Sequence, residues 1–131
     1  MSKTEKTFRF REFPVYKKAR EYHKGLKELS KRKLPAEEQF CLTAQLWRAL
    51  DSILFNIAEG SERYSDMDFS RFLNTAITSL NETVACLDAA QDDKYITNEE
   101  HDHYLIQADN IYRQLRAFSS KVRKDNIKKG S

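Results

Sequence analysis

Between Pro14 and Val122, apolar residues return every three or four positions through four long segments, and only three short breaks interrupt them. That period belongs to the α-helix, where residues three and four apart share a face. The breaks are Leu34-Pro35, "EGSERYS" from Glu59 to Ser65, and "AAQDDKYI" from Ala89 to Ile96. With three Gly and two Pro in 131 residues there are few other places for the chain to turn. The expected fold class is all-α, an up-down-up-down antiparallel four-helix bundle in a single domain spanning residues 1–131.

The first helix, α1, is expected over about 14–32, with Pro14 in its first turn and Val15, Ala19, Tyr22, Leu26 and Leu29 inward. Gly25 inside it costs up to about 1 kcal/mol relative to Ala, which points to a close helix contact. Helix α2 is expected over about 36–59, restarting at Pro35 with Glu37 and Glu38 at its dipole-positive end. Leu42, Thr43, Leu46, Trp47, Ala49, Leu50, Ile53, Leu54, Ile57 and Ala58 cover roughly half its girth. So wide an arc faces more than one neighbour. Gly60 is expected to end the helix as a C′ residue in the left-handed conformation. Helix α3, about 66–91, begins at a Ser65 cap and carries Phe69, Phe72, Leu73, Ala76, Ile77, Leu80, Val84 and Leu87 inward. Thr97 and Glu100 form a capping box for α4, which turns Tyr104, Leu105, Ala108, Ile111, Tyr112, Leu115, Phe118 and Val122 inward. Residues 1–12 read as an arm in which Phe8, Phe10 and Phe13 form a short extended strip docked on the core, with base stacking between arginines as the alternative. Residues 125–131 read as a fraying basic tail.

The net charge of +3 hides a segregation. Residues 1–33 hold twelve basic and four acidic side chains (net +8), residues 34–110 four and fifteen (net −11), and residues 111–131 seven and one (net +6). Basic ends suit phosphates, or an acidic neighbour in an assembly. The candidate nucleic-acid-binding residues are Lys17, Lys18, Arg20, Lys24, Lys27 and Lys31 on α1, with Arg116, Lys121, Arg123 and Lys124 near the chain end.

On α2, Gln45, Arg48, Ser52, Asn56 and Glu59 fall at spacings of 3, 4, 4 and 3 and so make one polar stripe. In an assembly, Arg48 paired with Glu59 or Glu82 would fix geometry. In a monomer, Glu59 and Arg63 form a surface pair worth less than about 1 kcal/mol.

Catalysis finds little support. His101 and His103, two apart, point to different faces, and His23 lacks a partner ligand at helical spacing. No residue set matches a Glu-x-x-His di-iron pair, a phosphate loop, a nucleophile elbow or Cys-x-x-Cys, so no enzyme, metal or cofactor is expected. Cys41 and Cys86 read as free thiols of a reducing compartment. With no apolar leader and no run near the roughly 18 residues of a membrane span, a cytoplasmic protein without membrane contact is expected.

The run "LTAQLWRALDSILFNIAEGSERYSDMDFSRFLNTAITSLNET" carries the pattern Q-x-x-R-A-x-x-S-I-x-x-N-I-A-E-G, then an Arg, F-x-x-F-L and S-x-x-E. These are Gln45, Arg48, Ala49, Ser52, Ile53, Asn56, Ile57, Ala58, Glu59, Gly60, Arg63, Phe69, Phe72, Leu73, Ser79 and Glu82. The chain thereby resembles the four-helix bundle family of ribosomal S23-like proteins encoded in intervening sequences of bacterial 23S rRNA genes. More distantly it resembles the accessory variability proteins of diversity-generating retroelements. The resemblance implies a bundle assembling into a homopentameric ring without established catalytic activity. A ring needs a heterologous joint, for which Gln45, Arg48, Ser52, Asn56, Glu59, Arg63, Arg71, Ser79 and Glu82 are the candidate assembly or polar-network residues. The expected function is non-specific RNA or DNA binding by a ring-forming bundle, as an accessory to RNA or reverse-transcriptase biology, with a reverse transcriptase or another protein as a further partner. The alternative is a protein adaptor or scaffold that binds no nucleic acid.

Overall fold

The structure is a computed structural model that describes residues 7–63 and 65–130, with side chains as far as residue 124. Residues 1–6 of the expected arm and the side chains of the expected tail lie outside the described residues. Four helices carry the fold: α1 (Pro14–Lys33), α2 (Leu42–Ser61), α3 (Asp66–Asp92) and α4 (Asn98–Gly130). Short 3-10 turns at Arg9–Glu12 and Ala36–Glu38 precede α1 and α2. The backbone of the expected tail continues α4 as helix to Gly130 rather than fraying.

Antiparallel order follows from the contacts. Ser52 meets Ser79, Ser70 meets Ser119, and His23 meets Asp51, so each helix returns along the one before it. Gly25 lies against Tyr104 and Phe13 against Phe118, which brings α1 beside α4 and closes the bundle. Tyr22, Leu26, Leu50, Ile53, Ile57, Leu73, Leu80, Ile111 and Leu115 are fully buried at its centre. Each large aliphatic side chain among them contributes on the order of 1.5–3 kcal/mol. A polar tie crosses this core from α1 to α3 and is anchored within α3. The Tyr22 hydroxyl and Thr83 Oγ1 share a 2.8 Å hydrogen bond, and Thr83 donates to the Leu80 carbonyl at 2.6 Å. Burial pushes the Tyr22 phenol up to about 12, so it stays neutral.

The helix ends obey local chemistry, with two departures. Pro14 opens α1, Ser65 Oγ accepts from the Asp68 N–H at 3.1 Å, and Thr97 and Glu100 cap each other at 2.9 and 3.1 Å. Helix α2, however, does not begin at Ala36. That restart closes after one 3-10 turn, and Glu38 turns back to accept from the Leu42 N–H at 3.4 Å and from the Tyr95 hydroxyl at 2.9 Å. The new helix therefore starts at Leu42, leaving Phe40 86% exposed in the turn before it. Gly60 is not a left-handed stop either. It lies inside α2, where an added Cβ would come within 2.8 Å of Phe72 Cβ and 2.9 Å of Phe69 Cδ1. The left-handed residue is Lys94, with φ 62°, after α3. There Lys94 N–H donates to Gln91 O and Tyr95 N–H to Ala90 O, both at 2.9 Å, the two bonds of a Schellman motif.

Candidate nucleic-acid interface

The α2 stripe divides into two sets. Ser52 and Ser79 join their hydroxyls at 2.7 Å across α2 and α3, and Asn56 Nδ2 donates to the Ser52 carbonyl at 2.8 Å and its hydroxyl at 3.0 Å. This is an internal lock between two helices. Glu59 and Arg63 form an exposed pair at 3.7 Å, and Arg71 pairs with Asp68 at 3.4 Å. Arg63 also lies 4.4 Å over the Phe72 ring. The pairing of Arg48 with Glu59 or Glu82 is expected between subunits of an assembly, and a single subunit does not test it. Gln45, Arg48 and Glu82 are exposed, and their side chains make no hydrogen bond or ion pair among the described residues. Arg48 and Glu59 stand eleven residues, about 16 Å, apart on one straight helix, too far for a direct pair.

The N-terminal arm is no extended strip. Its 3-10 turn carries Arg9 to the end of α2, where Nη2 donates to the Ser61 carbonyl at 2.8 Å and the guanidinium stands 5.8 Å from both the Phe13 and Phe69 rings. A cation there satisfies the negative end of the helix dipole. Phe13 stacks on Phe69 and meets Phe118 edge-on, and Phe10 packs edge-on against Tyr16 at 5.0 Å. The same turn places Arg11 beside α1.

The basic residues of α1 do not act as one set. Lys27 is held at 3.8 Å from Asp51 and 4.8 Å over the Trp47 ring, and Lys31 lies 5.7 Å over the same ring. Trp47 in turn donates its indole N–H to Ser30 at 2.9 Å. Lys17 pairs with Glu12 at 3.2 Å, and Lys18 reaches Glu21 at 4.0 Å. Among the described residues Arg20 and Lys24 have no such partner, and neither does the Arg11 side chain. These three cations line one open groove of about 720 Å³ together with Lys17, His23, Glu12, Glu21 and Leu54. His23 Nε2 is bound to Asp51 Oδ1 at 2.7 Å, which fixes the wall between α1 and α2.

The C-terminal basic residues are placed elsewhere. Lys121 lines a different cleft, between the start of α1 and α4, with Phe13, Pro14 and Phe118, and Arg116 stacks 5.9 Å over Tyr112. Arg123 and Lys124 are exposed and line neither groove. The α1 lysines and the chain end are thus not gathered into one patch. Arg11 belongs to the groove although helical spacing on α1 could not include it. The turn of aromatic and basic residues before Pro14 was the available signal.

An apolar groove of about 520 Å³ opens on another side, between α3 and α4, lined by Leu80, Val84, Leu105, Ile106, Ala108 and Tyr112 with Asn81 and Asp109. Leu105 and Tyr112, expected inside, line it partly exposed, and Ile106 is 71% exposed. One helical turn before Leu105 of that groove, His101 is 7% exposed and bonds Asp88 at 2.8 Å and Asp102 at 3.3 Å. The Asp88 hydrogen bond holds the imidazole above its ordinary range, against the opposing effect of burial. Next to it, the Thr97 N–H, helped by Lys33 at 3.5 Å, holds the Glu100 carboxyl below its ordinary range. Among the described residues no group of three or more His, Cys, Asp and Glu side chains is arranged to hold a metal ion. Cys41 and Cys86 are both free thiols. Among the same residues no helix is long and apolar enough to cross a membrane.

Comparison with curated proteins gives no match. Among solved structures, a protein of unknown function from the S23 ribosomal protein family of Bacteroides thetaiotaomicron is similar, with 26% identity and a TM-score of 0.70 over 80% of this chain and 97% of that one. The family model for the 23S rRNA-intervening sequence protein matches residues 11–117. That span takes in the internal Ser52–Asn56–Ser79 lock, the packed Gly60 and the groove beside α1, so the chain belongs to the 23S rRNA-intervening sequence protein family.

Proposed function

We propose that this protein is a non-enzymatic bundle that self-associates into a ring and binds RNA or DNA non-specifically through the groove beside α1. The observation that carries the reading is the convergence of Arg11, Arg20 and Lys24 on one groove with no acidic partner among the described residues. Cations already paired with carboxylates gain little from a phosphate, since one ion pair only replaces another. Unpaired ones release the counterions of the phosphates they neutralise, and that release drives binding without regard to sequence. Affinity should therefore fall steeply with added salt. Replacing Arg20 and Lys24 by Glu should remove most of the affinity and lower the salt slope by about 2. No binding to structured RNA or to DNA at low salt would end this reading.

Self-association is supported by the apolar groove between α3 and α4 and by Phe40, an exposed aromatic on a different element. A ring joint needs two such unlike patches, and five is the number of subunits that the family resemblance implies. A monomer mass by light scattering at micromolar concentration would count against the ring. The same groove favours the alternative reading, an adaptor whose ring recruits another protein, in which case the charge-reversed variant would still capture its partner.

A further inference from the structure

We propose that the groove between α1 and α2 takes single-stranded nucleic acid, with phosphates along Arg11, Arg20 and Lys24 and unpaired bases stacked on Phe55 and Phe8. The proposal rests on the nucleic-acid reading above and adds the form of the ligand. Phosphates alone do not separate a single strand from a duplex, because both present them. Exposed aromatic rings do, because bases in a duplex are already stacked on each other and offer no face.

Phe55 is 62% exposed on α2, between the buried Ile53 and Ile57. It lies one turn beyond Asp51 on the same face, and Asp51 is held by His23 at 2.7 Å and Lys27 at 3.8 Å. Its neighbour Leu54 lines the groove. Phe55 therefore stands on the groove's α2 rim. On the arm, the Phe8 carbonyl accepts from the Arg11 N–H at 3.1 Å, closing the turn that carries Arg11 into the groove, and the Phe8 ring is 47% exposed. The other two aromatics of the arm are spent on internal ring contacts. Phe8 and Phe55 have no aromatic or cationic partner among the described residues, so the fold gains little from either ring. Three cations without an acidic partner among the described residues, a bare ring on the α2 rim and another at the start of the turn that carries Arg11 match the alternation of phosphate and base along an unpaired strand.

The test uses fluorescence anisotropy of the full chain at low salt with labelled oligouridine, labelled oligothymidine and a duplex of matched phosphate number. Both strands should bind more tightly than the duplex, and whichever strand is tighter separates RNA from DNA as the natural source. Phe55→Ala and Phe8→Ala should each weaken strand binding roughly fivefold or more, with the loss confined to the strands. Phe55→Trp should keep strand affinity while Phe55→Leu, equally apolar but without a π-face, loses it. Because both rings are exposed, the variants should melt with the wild type, so loss of folding would not be mistaken for loss of stacking. Duplex binding as tight as strand binding, or Phe variants with wild-type strand affinity while Arg20→Glu with Lys24→Glu still weakens every probe, would overturn the single-strand proposal alone. Failure of all three probes to bind would overturn the nucleic-acid reading as well.

Discussion

Two polar faces on neighbouring helices meet opposite fates. The α2 stripe is partly closed: Ser52 and Asn56 turn their bonds toward Ser79 and toward each other, at 2.7 to 3.0 Å, and hold α2 on α3. On α1 the face is partly open, because among the described residues Lys17, Lys18, Lys27 and Lys31 are engaged with side chains of their own subunit while Arg20 and Lys24 are not. Polar residues at helical spacing thus serve structure where a second helix supplies matching hydroxyls, and remain available for a ligand where it does not. Stability and binding should separate along this line.

Substitution in each face breaks or sharpens that contrast. The largest effect on binding is expected from Arg20→Glu with Lys24→Glu, which should abolish most nucleic-acid affinity yet change unfolding free energy by no more than about 0.5 kcal/mol, since both side chains are exposed. Chemical denaturation alongside the binding titration checks both halves. Among stability effects the largest should come from Gly60→Ala beside the closed face. Its Cβ has no room against Phe69 and Phe72, so a loss of about 1–3 kcal/mol is expected in urea melts. Asn56→Ala should cost about 1 kcal/mol by removing two donors from the lock, and leave affinity for nucleic acid unchanged. A matching loss of binding would mean that the two faces are coupled.

A smaller, pH-dependent effect is expected at His101, away from both faces. Its folded-state pKa is raised above the ordinary 6.5 by Asp88. The stabilisation it brings is therefore complete below pH 6.5 and is lost as pH rises through the raised folded value. Melting temperatures of the wild type and His101→Gln, followed from about pH 5 to 8, should converge toward the alkaline side. Smallest of all is Glu59→Ala. That residue sits in the signature turn, but its pair with Arg63 is exposed at 3.7 Å, and the melt should not move measurably.

Much of the fold was legible because helical periodicity needs no knowledge of neighbours. The Thr97–Glu100 box, the Ser65 cap and a close helix contact at Gly25 could be read from spacing and residue type, although Tyr104 as its partner could not. Gly60 and Lys94 could not be read that way. A glycine after a helical run looks like a left-handed stop, but here the crossing of α2 and α3 needs its missing Cβ, while α3 stops at a lysine held left-handed by the two bonds of its own last turn. Leu105 and Tyr112 were assigned inward by period alone, yet α3 covers only part of the arc they occupy. At the candidate site, Lys17, Arg20 and Lys24 were legible as a basic face. Arg11 joining them, and Phe55 standing on the rim, depended on how the arm and α2 lie against α1.

Local sequence therefore determined the helices, their order and most of the buried residues, because each follows from a few covalently near neighbours. Tertiary structure alone decided which charges remain free. Asp51 meets His23 and Lys27 from more than twenty residues away, Arg9 caps a helix end 52 residues on, and an ion pair depends on separation in space rather than along the chain.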